Sequence, residues 1–216
     1  MENRFSTNEY YNLLRSTNRE GIEDLIEYLK KSDFEVAPAS TKYHGSYEGG
    51  LCDHCMTVHR ILMKLVEDYI EFKELTFPNE LAETHDELMN SVIIVALLHD
   101  ISKVNFYEVS YQNKKVYSQS GSKYDENGNY DWQSVKTFKQ RDDNQIFIAG
   151  NHEETAEFIV RQFIQLRISE SVAIAHHHGG IGWDTINIDA MSKIYSKYPL
   201  TLLLHEADLL AAYKFV

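Results

Sequence analysis

Ten histidines stand in this chain of 216 residues, and several lie at or beside the ends of apolar stretches. An imidazole or carboxylate in such a place is costly unless something pairs with it. His99-Asp100 closes the most apolar run of the sequence, Val92-Ile-Ile-Val-Ala-Leu-Leu98. A histidine suits a helix C-terminus, where its cationic form meets the negative end of the dipole, but an aspartate does not. An ionised aspartate closing a buried helix needs a positive partner, and a bound cation is one. Asp208 poses the same problem, since Leu204, Ala207, Leu209, Leu210 and Ala211 leave it few polar neighbours. The alternative for Asp208 is the polar edge of an amphipathic helix, shared with Glu206 and Lys214. His205, three residues earlier and on the same helix face, is placed to orient it.

His54 lies in Gly49-Gly-Leu-Cys-Asp-His-Cys55, in the first turns of a long helix, where an exposed polar residue is the rival reading. Cys52 and Cys55 flank it. A structural zinc site usually draws four ligands from two such clusters, and a redox Cys-x-x-Cys needs a βαβ setting. Neither is present, so both cysteines read as packing thiols. In His176-His-His178-Gly-Gly180 successive side chains diverge by roughly 100° around a helix. At most two of the three can face one pocket, and a solvent-exposed cap is the rival. His152 follows Gly150-Asn151 at a helix start, where a lone histidine more often caps or faces solvent than binds. Mixed imidazole and carboxylate donors suit Mn, Fe, Co, Ni, Mg or Zn, with a lean toward transition metals. The chain has no Gly-x-Gly-x-x-Gly, Walker A or His-Glu-x-x-His pattern, which removes several other chemistries.

The elements that must position these residues are mainly helical. Residues 8–31 read as two short helices, the second carrying Ile22, Leu25, Ile26 and Leu29 at helical spacing. A loop rich in glycine spans 35–50, and long helices follow over Leu51–Phe72 and Thr84–His99. Residues 104–140 change character. Phe106, Tyr107, Val109, Tyr111, Val116 and Tyr117, with Asn113-Lys-Lys115 between them, predict a short β-hairpin followed by a loop or second ribbon. Helical patterning returns over Glu153–Leu166 and Ser169–His177, and a last helix starts at Pro199, which suits a first helical position, and runs toward Val216. The expectation is one all-α domain over 1–216 with a small β-hairpin insertion around 104–140, a size that fits a single core.

Bulk properties bound the function. No apolar run approaches the ~20 residues of a membrane span, and no basic-then-apolar start resembles a secretory signal. Two cysteines make no disulfide framework, so a cytoplasmic setting is expected. The formal net charge of -12 opposes general coating of a nucleic acid. It is compatible with a small phosphorylated substrate, because bound divalent cations reverse the field inside a pocket. A homo-oligomer is left open.

In chain order the set is His54, then His99-Asp100, then Asp208, on separate helices. This resembles the HD superfamily of metal-dependent phosphohydrolases, whose signature is H…HD…D. The flanks resemble it too. Tyr43-His-Gly-Ser-Tyr-Glu-Gly-Gly-Leu-Cys-Asp-His54 is similar to the family's glycine-leucine lead into its first ligand helix. Leu97-Leu-His-Asp-Ile-Ser-Lys-Val104 is similar to its LLHDIGK segment, with Ser102 where glycine is usual. His205-Glu-Ala-Asp-Leu-Leu210 is similar to the segment holding the distal aspartate. The resemblance implies a helical HD-domain bundle in which His54, His99, Asp100 and Asp208 bind one cation. It further implies a second ion held by His152 and His177, with His178 as an added candidate, and bridged by Asp100. Lys103 is then placed to meet a phosphate oxygen, and Asp100 and Lys103 are the expected catalytic pair. The activity implied is hydrolysis of a nucleotide or other small phosphorylated metabolite by metal-activated water. Tyr43-His44 resembles exonuclease-like members, which makes His44 a candidate substrate contact and raises a phosphodiesterase on cyclic nucleotides or nucleic-acid 3′ ends as an alternative. That alternative wants a basic rim, for which Lys114, Lys115, Lys123, Lys136, Lys139 and Arg141 are the candidates. A non-catalytic nucleotide sensor is the third reading, and the intact ligand set argues against it.

Overall fold

The computed structural model describes residues 5–76, 84–180 and 188–214. Among them are eight α-helices and one small antiparallel sheet. Helices α1 (Thr7–Ser16) and α2 (Ile22–Lys31) form the N-terminal pair. Gly21 turns the chain between them at φ 83°, where an added Cβ would lie 1.9 Å from the Phe163 carbonyl oxygen. The long α3 (Gly50–Thr76) crosses the molecule beside α4 (His85–Leu98). Thr84 and Glu87 close a capping box at the start of α4, satisfying amides that have no partner within the helix. Helices α5 (His152–Arg161), α6 (Ile168–Ala175), α7 (Ile188–Lys197) and α8 (Pro199–Tyr213) complete the bundle. Asn151 and Glu154 cap α5 in the same reciprocal way, and Pro199 stands in the first turn of α8.

The run Val92–Leu98 is apolar all round because α4 is enclosed, with α1, α3, α6 and α8 against it. Leu62, Val66, Val95, Leu98, Ile174 and Leu204 are fully buried there. Each such side chain contributes about 1.5–3 kcal/mol of hydrophobic burial. What α4 delivers to the centre of this packing is its C-terminal end, where His99 and Asp100 follow.

Several boundaries differ from the sequence expectation. Helix α3 runs past Phe72 to Thr76, α5 stops at Arg161, α6 stops at Ala175 and α8 ends at Tyr213; residues 215–216 lie outside the described chain. Helix α7 was not expected from the sequence at all. The insertion departs most. Strands β1 (Tyr107–Tyr117), β2 (Lys123–Asp125) and β3 (Gly128–Gln140) stack in the order β1-β3-β2. Asn113-Lys-Lys115 is no turn. These residues lie mid-strand, paired with Ser134, Gln133 and Trp132, and the chain reverses beyond Tyr117. They are polar because they face solvent on an arm with little burial, which removes the alternation that marks a half-buried strand. Among the described residues no helix is long and apolar enough to cross a membrane.

Candidate metal centre

Four separate helices bring polar side chains to one largely buried point. His54 comes from the second turn of α3, His99-Asp100 from the end of α4, His152 from the first position of α5, and Asp208 from the middle of α8. His177 and His178 follow the end of α6. His54, His99, Asp100, His177 and Asp208 are all buried. The Nε2 atom of His54 lies 3.3 Å from Asp100 Oδ2, 3.1 Å from Asp208 Oδ1 and 3.3 Å from His99 Nε2. His99 Nε2 is 3.5 Å from Asp100 Oδ2 and 3.9 Å from Asp208 Oδ1. On the other side Asp100 Oδ1 is 2.7 Å from His152 Nε2 and 3.8 Å from His177 Nε2. His178 Nε2 is 3.7 Å from Asp208 Oδ2. Asp100 therefore turns one oxygen to His54 and His99 and the other to His152 and His177.

The protons show what this cluster is short of. His99 Nδ1–H donates to the Ala96 carbonyl at 2.9 Å, and His177 Nδ1–H donates to the Ile174 carbonyl at 2.8 Å. A carbonyl only accepts, so each neutral ring carries its proton on Nδ1 and presents a bare lone pair at Nε2. For His99 that lone pair faces His54 Nε2 at 3.3 Å and, farther off, carboxylate oxygens, which are acceptors too. For His177 the Nε2 atom is buried with no hydrogen-bond partner. Acceptors converging on acceptors in a buried pocket are stable only around a positive centre. Three groups of side chains meet the spatial requirement for one ion: His54, His99 and Asp100; His99, His177 and Asp208; and His152, His177 and His178. The buried histidines and aspartates could thus hold a metal ion, and the arrangement of oxygen and imidazole donors suits a borderline divalent cation.

Charge in the metal-free centre is balanced by protons and one ammonium. Burial works to strip the proton from His54, but Asp100 and Asp208 outweigh it and raise His54 above its ordinary value. Burial likewise works to neutralise Asp100. Lys103, His99 and the bonds to His152 and His54 override it and hold the carboxyl well below the usual range. Asp208 is held down in the same way by His54 and His99 against the cost of its burial. Lys103 Nζ donates to Asp100 Oδ2 at 2.6 Å and stands in for part of the missing positive charge. Burial lowers His99 and His177 and takes His178 and His44 down to about 4, so these rings are neutral and free to offer lone pairs.

Further residues hold the candidate ligands in place. Ser102, which stands where the resembling family has glycine, puts its hydroxyl 2.7 Å from His152 Nδ1. Glu153 is buried and accepts the backbone N–H of His178 at 2.7 Å. The sequence offered no sign of this, because Glu153 reads as an ordinary acidic residue in a first helical turn. His205 does not orient Asp208 as expected. Its Nδ1–H donates to the His177 carbonyl at 2.6 Å, which braces the turn after α6. His176 is absent from the metal-capable groups, while His177 and His178 both belong to them. His44 stacks near the centre with its ring 4.7 Å from that of His54, and its buried Nε2 has no hydrogen-bond partner. The expected basic rim is largely neutralised. Lys115 pairs with Asp125, Lys136 with Glu48, Lys139 with Glu108 and Arg141 with Asp33.

Comparisons with protein-family models, with curated proteins and with solved structures each return no match.

Proposed function

We propose that this chain is a metal-dependent phosphohydrolase of the HD type, acting on a nucleotide or another small phosphorylated metabolite. One observation carries the reading: buried Asp100 turns one oxygen toward the bare Nε2 of His99 and the other toward the bare Nε2 of His177, nitrogens with no proton to share. His54, His99, Asp100 and Asp208 would hold one cation. His152, His177 and His178 would hold a second, with Asp100 between them. Divalent ions so bound supply Lewis acidity toward phosphoryl oxygens and lower the pKa of water.

The chain's own residues do the rest. Lys103 keeps its ammonium on Asp100 with little exposure, where it would be beside a phosphate oxygen bound at the centre. There it offsets charge that develops during transfer. His44, neutral and with a buried, unpaired Nε2 beside His54, could meet a substrate group bound at the centre without adding charge. Four of the six basic residues offered as a rim are paired with carboxylates, which weakens a basic track for a polynucleotide and favours a small substrate over a nucleic-acid end.

The test is a screen of nucleotides, cyclic nucleotides, short oligonucleotides and sugar phosphates with Mn, Co, Ni and Mg, products read by mass. Release of phosphate or nucleoside by the metal-loaded protein, lost in His177→Ala and Asp208→Asn, is the expected result. Tight nucleotide binding with no product over hours would replace the reading with the sensor alternative.

A further inference from the structure

Strand β1 is an open sheet edge. In the order β1-β3-β2 its outer side has no strand neighbour. The arm stands off the helical body, with β1 and β3 packed chiefly on each other, and Tyr111 to Lys115 are exposed. The Phe106 carbonyl accepts from Arg141 N–H, and Ser118 N–H donates to the Asn129 carbonyl, one bond at each end of an unbroken register between β1 and β3. In an antiparallel pair, residues bonded to the neighbouring strand alternate with residues turned away from it. The backbone groups of Tyr107, Val109, Tyr111, Asn113, Lys115 and Tyr117 therefore point outward, and among the described residues no other backbone group meets them. An edge of 11 residues with no proline and no bulge is a template for a further strand.

A second β1 is a strand that fits. When identical strands pair antiparallel about a twofold axis, one residue must face its own copy, because directly opposed side chains share a face. β1 carries one acidic residue, Glu108, and two basic ones, Lys114 and Lys115. Glu108 meets Lys114 of the second copy only when Tyr111 faces Tyr111, and no register of this symmetry sets it against Lys115. In that register the charge pair occurs twice, and the outward groups of Val109 and Asn113 bond reciprocally. Tyr111, 66% exposed, then lies beside its own copy, as cross-strand aromatic pairs do. Lys114 has no ion-pair partner among the described residues. Glu108 meets Lys139 through Oε1 at 2.7 Å, which leaves Oε2 for a second cation.

We propose that the chain forms a twofold dimer by antiparallel pairing of β1 with β1, Tyr111 facing Tyr111. The inference does not depend on the phosphohydrolase reading. Residues 107–115 pair over about 30 Å. That is a small interface, so the dimer is reversible, with Kd on the order of micromolar. Sedimentation velocity of the full, metal-loaded chain from about 1 to 200 µM tests it. The mass should rise from 25.1 kDa to twice that and no further, because a twofold pairing uses up the edge. Asn113→Pro removes an outward N–H that β3 does not use, and should weaken the dimer by about tenfold or more. Lys114→Glu and Glu108→Lys each oppose like charges, and each should weaken it about tenfold. An equimolar mixture of these two single variants opposes unlike charges at both places and should dimerise as tightly as wild type, which a disrupted arm would not do. Monomer at every concentration, growth beyond a dimer, a dimer indifferent to the variants, or a mixture no tighter than its components would each overturn the proposal.

Discussion

Asp100→Asn is the most informative single change, because it keeps the shape of the side chain and removes only its charge. Two consequences follow from its contacts. In the metal-free protein Lys103 Nζ, 2.6 Å from Asp100 Oδ2, loses its counter-charge inside the molecule. Breaking one partner out of a buried ion pair costs about 3–5 kcal/mol, and the lower end applies because the amide oxygen still accepts from the ammonium. In the presence of metal the second loss appears. Wild-type protein in metal at about 100 times Kd gains about 2.7 kcal/mol. At roughly 2–4 °C per kcal/mol for a chain of this size, that is a rise in Tm of about 5–11 °C. Asp100→Asn should forfeit most of that rise for Mn, Co and Ni alike. The double variant Asp100→Asn, Lys103→Met removes the orphaned ammonium as well. It should recover much of the metal-free stability and none of the metal response, a separation that a double-mutant cycle measures directly. Thermal unfolding in EDTA and in each metal reads both quantities. An Asp100→Asn protein with wild-type Tm in EDTA and a wild-type rise in metal would refute the reasoning, since the carboxylate would then be holding neither the lysine nor an ion.

Two other outcomes follow from the same geometry. In EDTA the protein should lose stability as pH falls from 6.5 toward about 4. Burial holds His44 and His178 down at about 4 against 6.5 when unfolded and lowers His99 and His177 as well, so over this range the unfolded chain binds protons that the folded one refuses. His54 has the opposite sign, its stabilisation being complete below 6.5 and lost as pH rises through its raised value, and so has Glu153, which burial raises to about 7, but the four lowered histidines outnumber them; urea midpoints that stay flat or rise between pH 7 and 5 would contradict this account. Glu153→Ala should weaken the second ion about ten- to a hundredfold, the usual effect of removing a group that orients a ligand, and leave the first ion in place. Glu153→Gln, whose amide oxygen still accepts the His178 N–H, should behave as wild type in a calorimetric metal titration, and two ions bound equally by the alanine variant would argue against the role.

The centre was legible in the sequence where residues broke a local rule. An aspartate at the negative end of the most apolar helix, and another bracketed by leucines, announce a missing positive charge before any fold is known. The supporting contacts were not legible, because they join residues far apart: Ser102 to His152, Glu153 to His178, and His205 to the carbonyl of His177 rather than to its helical neighbour Asp208. The arm was misread for a different reason. A strand wetted on both sides carries no alternation, so Asn113-Lys-Lys115 looked like punctuation. One further signal was available. The last four carbonyls of a helix lack intrahelical donors, and a histidine just past an apolar helix can satisfy one with Nδ1–H three residues back. His99 does this to Ala96 and His177 does it to Ile174. The same bond that finishes the helix fixes the tautomer and aims a bare Nε2 inward. Helix termination and ligand preparation are thus one event at both places, which is why apolar helices ending in histidine can build a metal centre without any local motif beyond the ending itself.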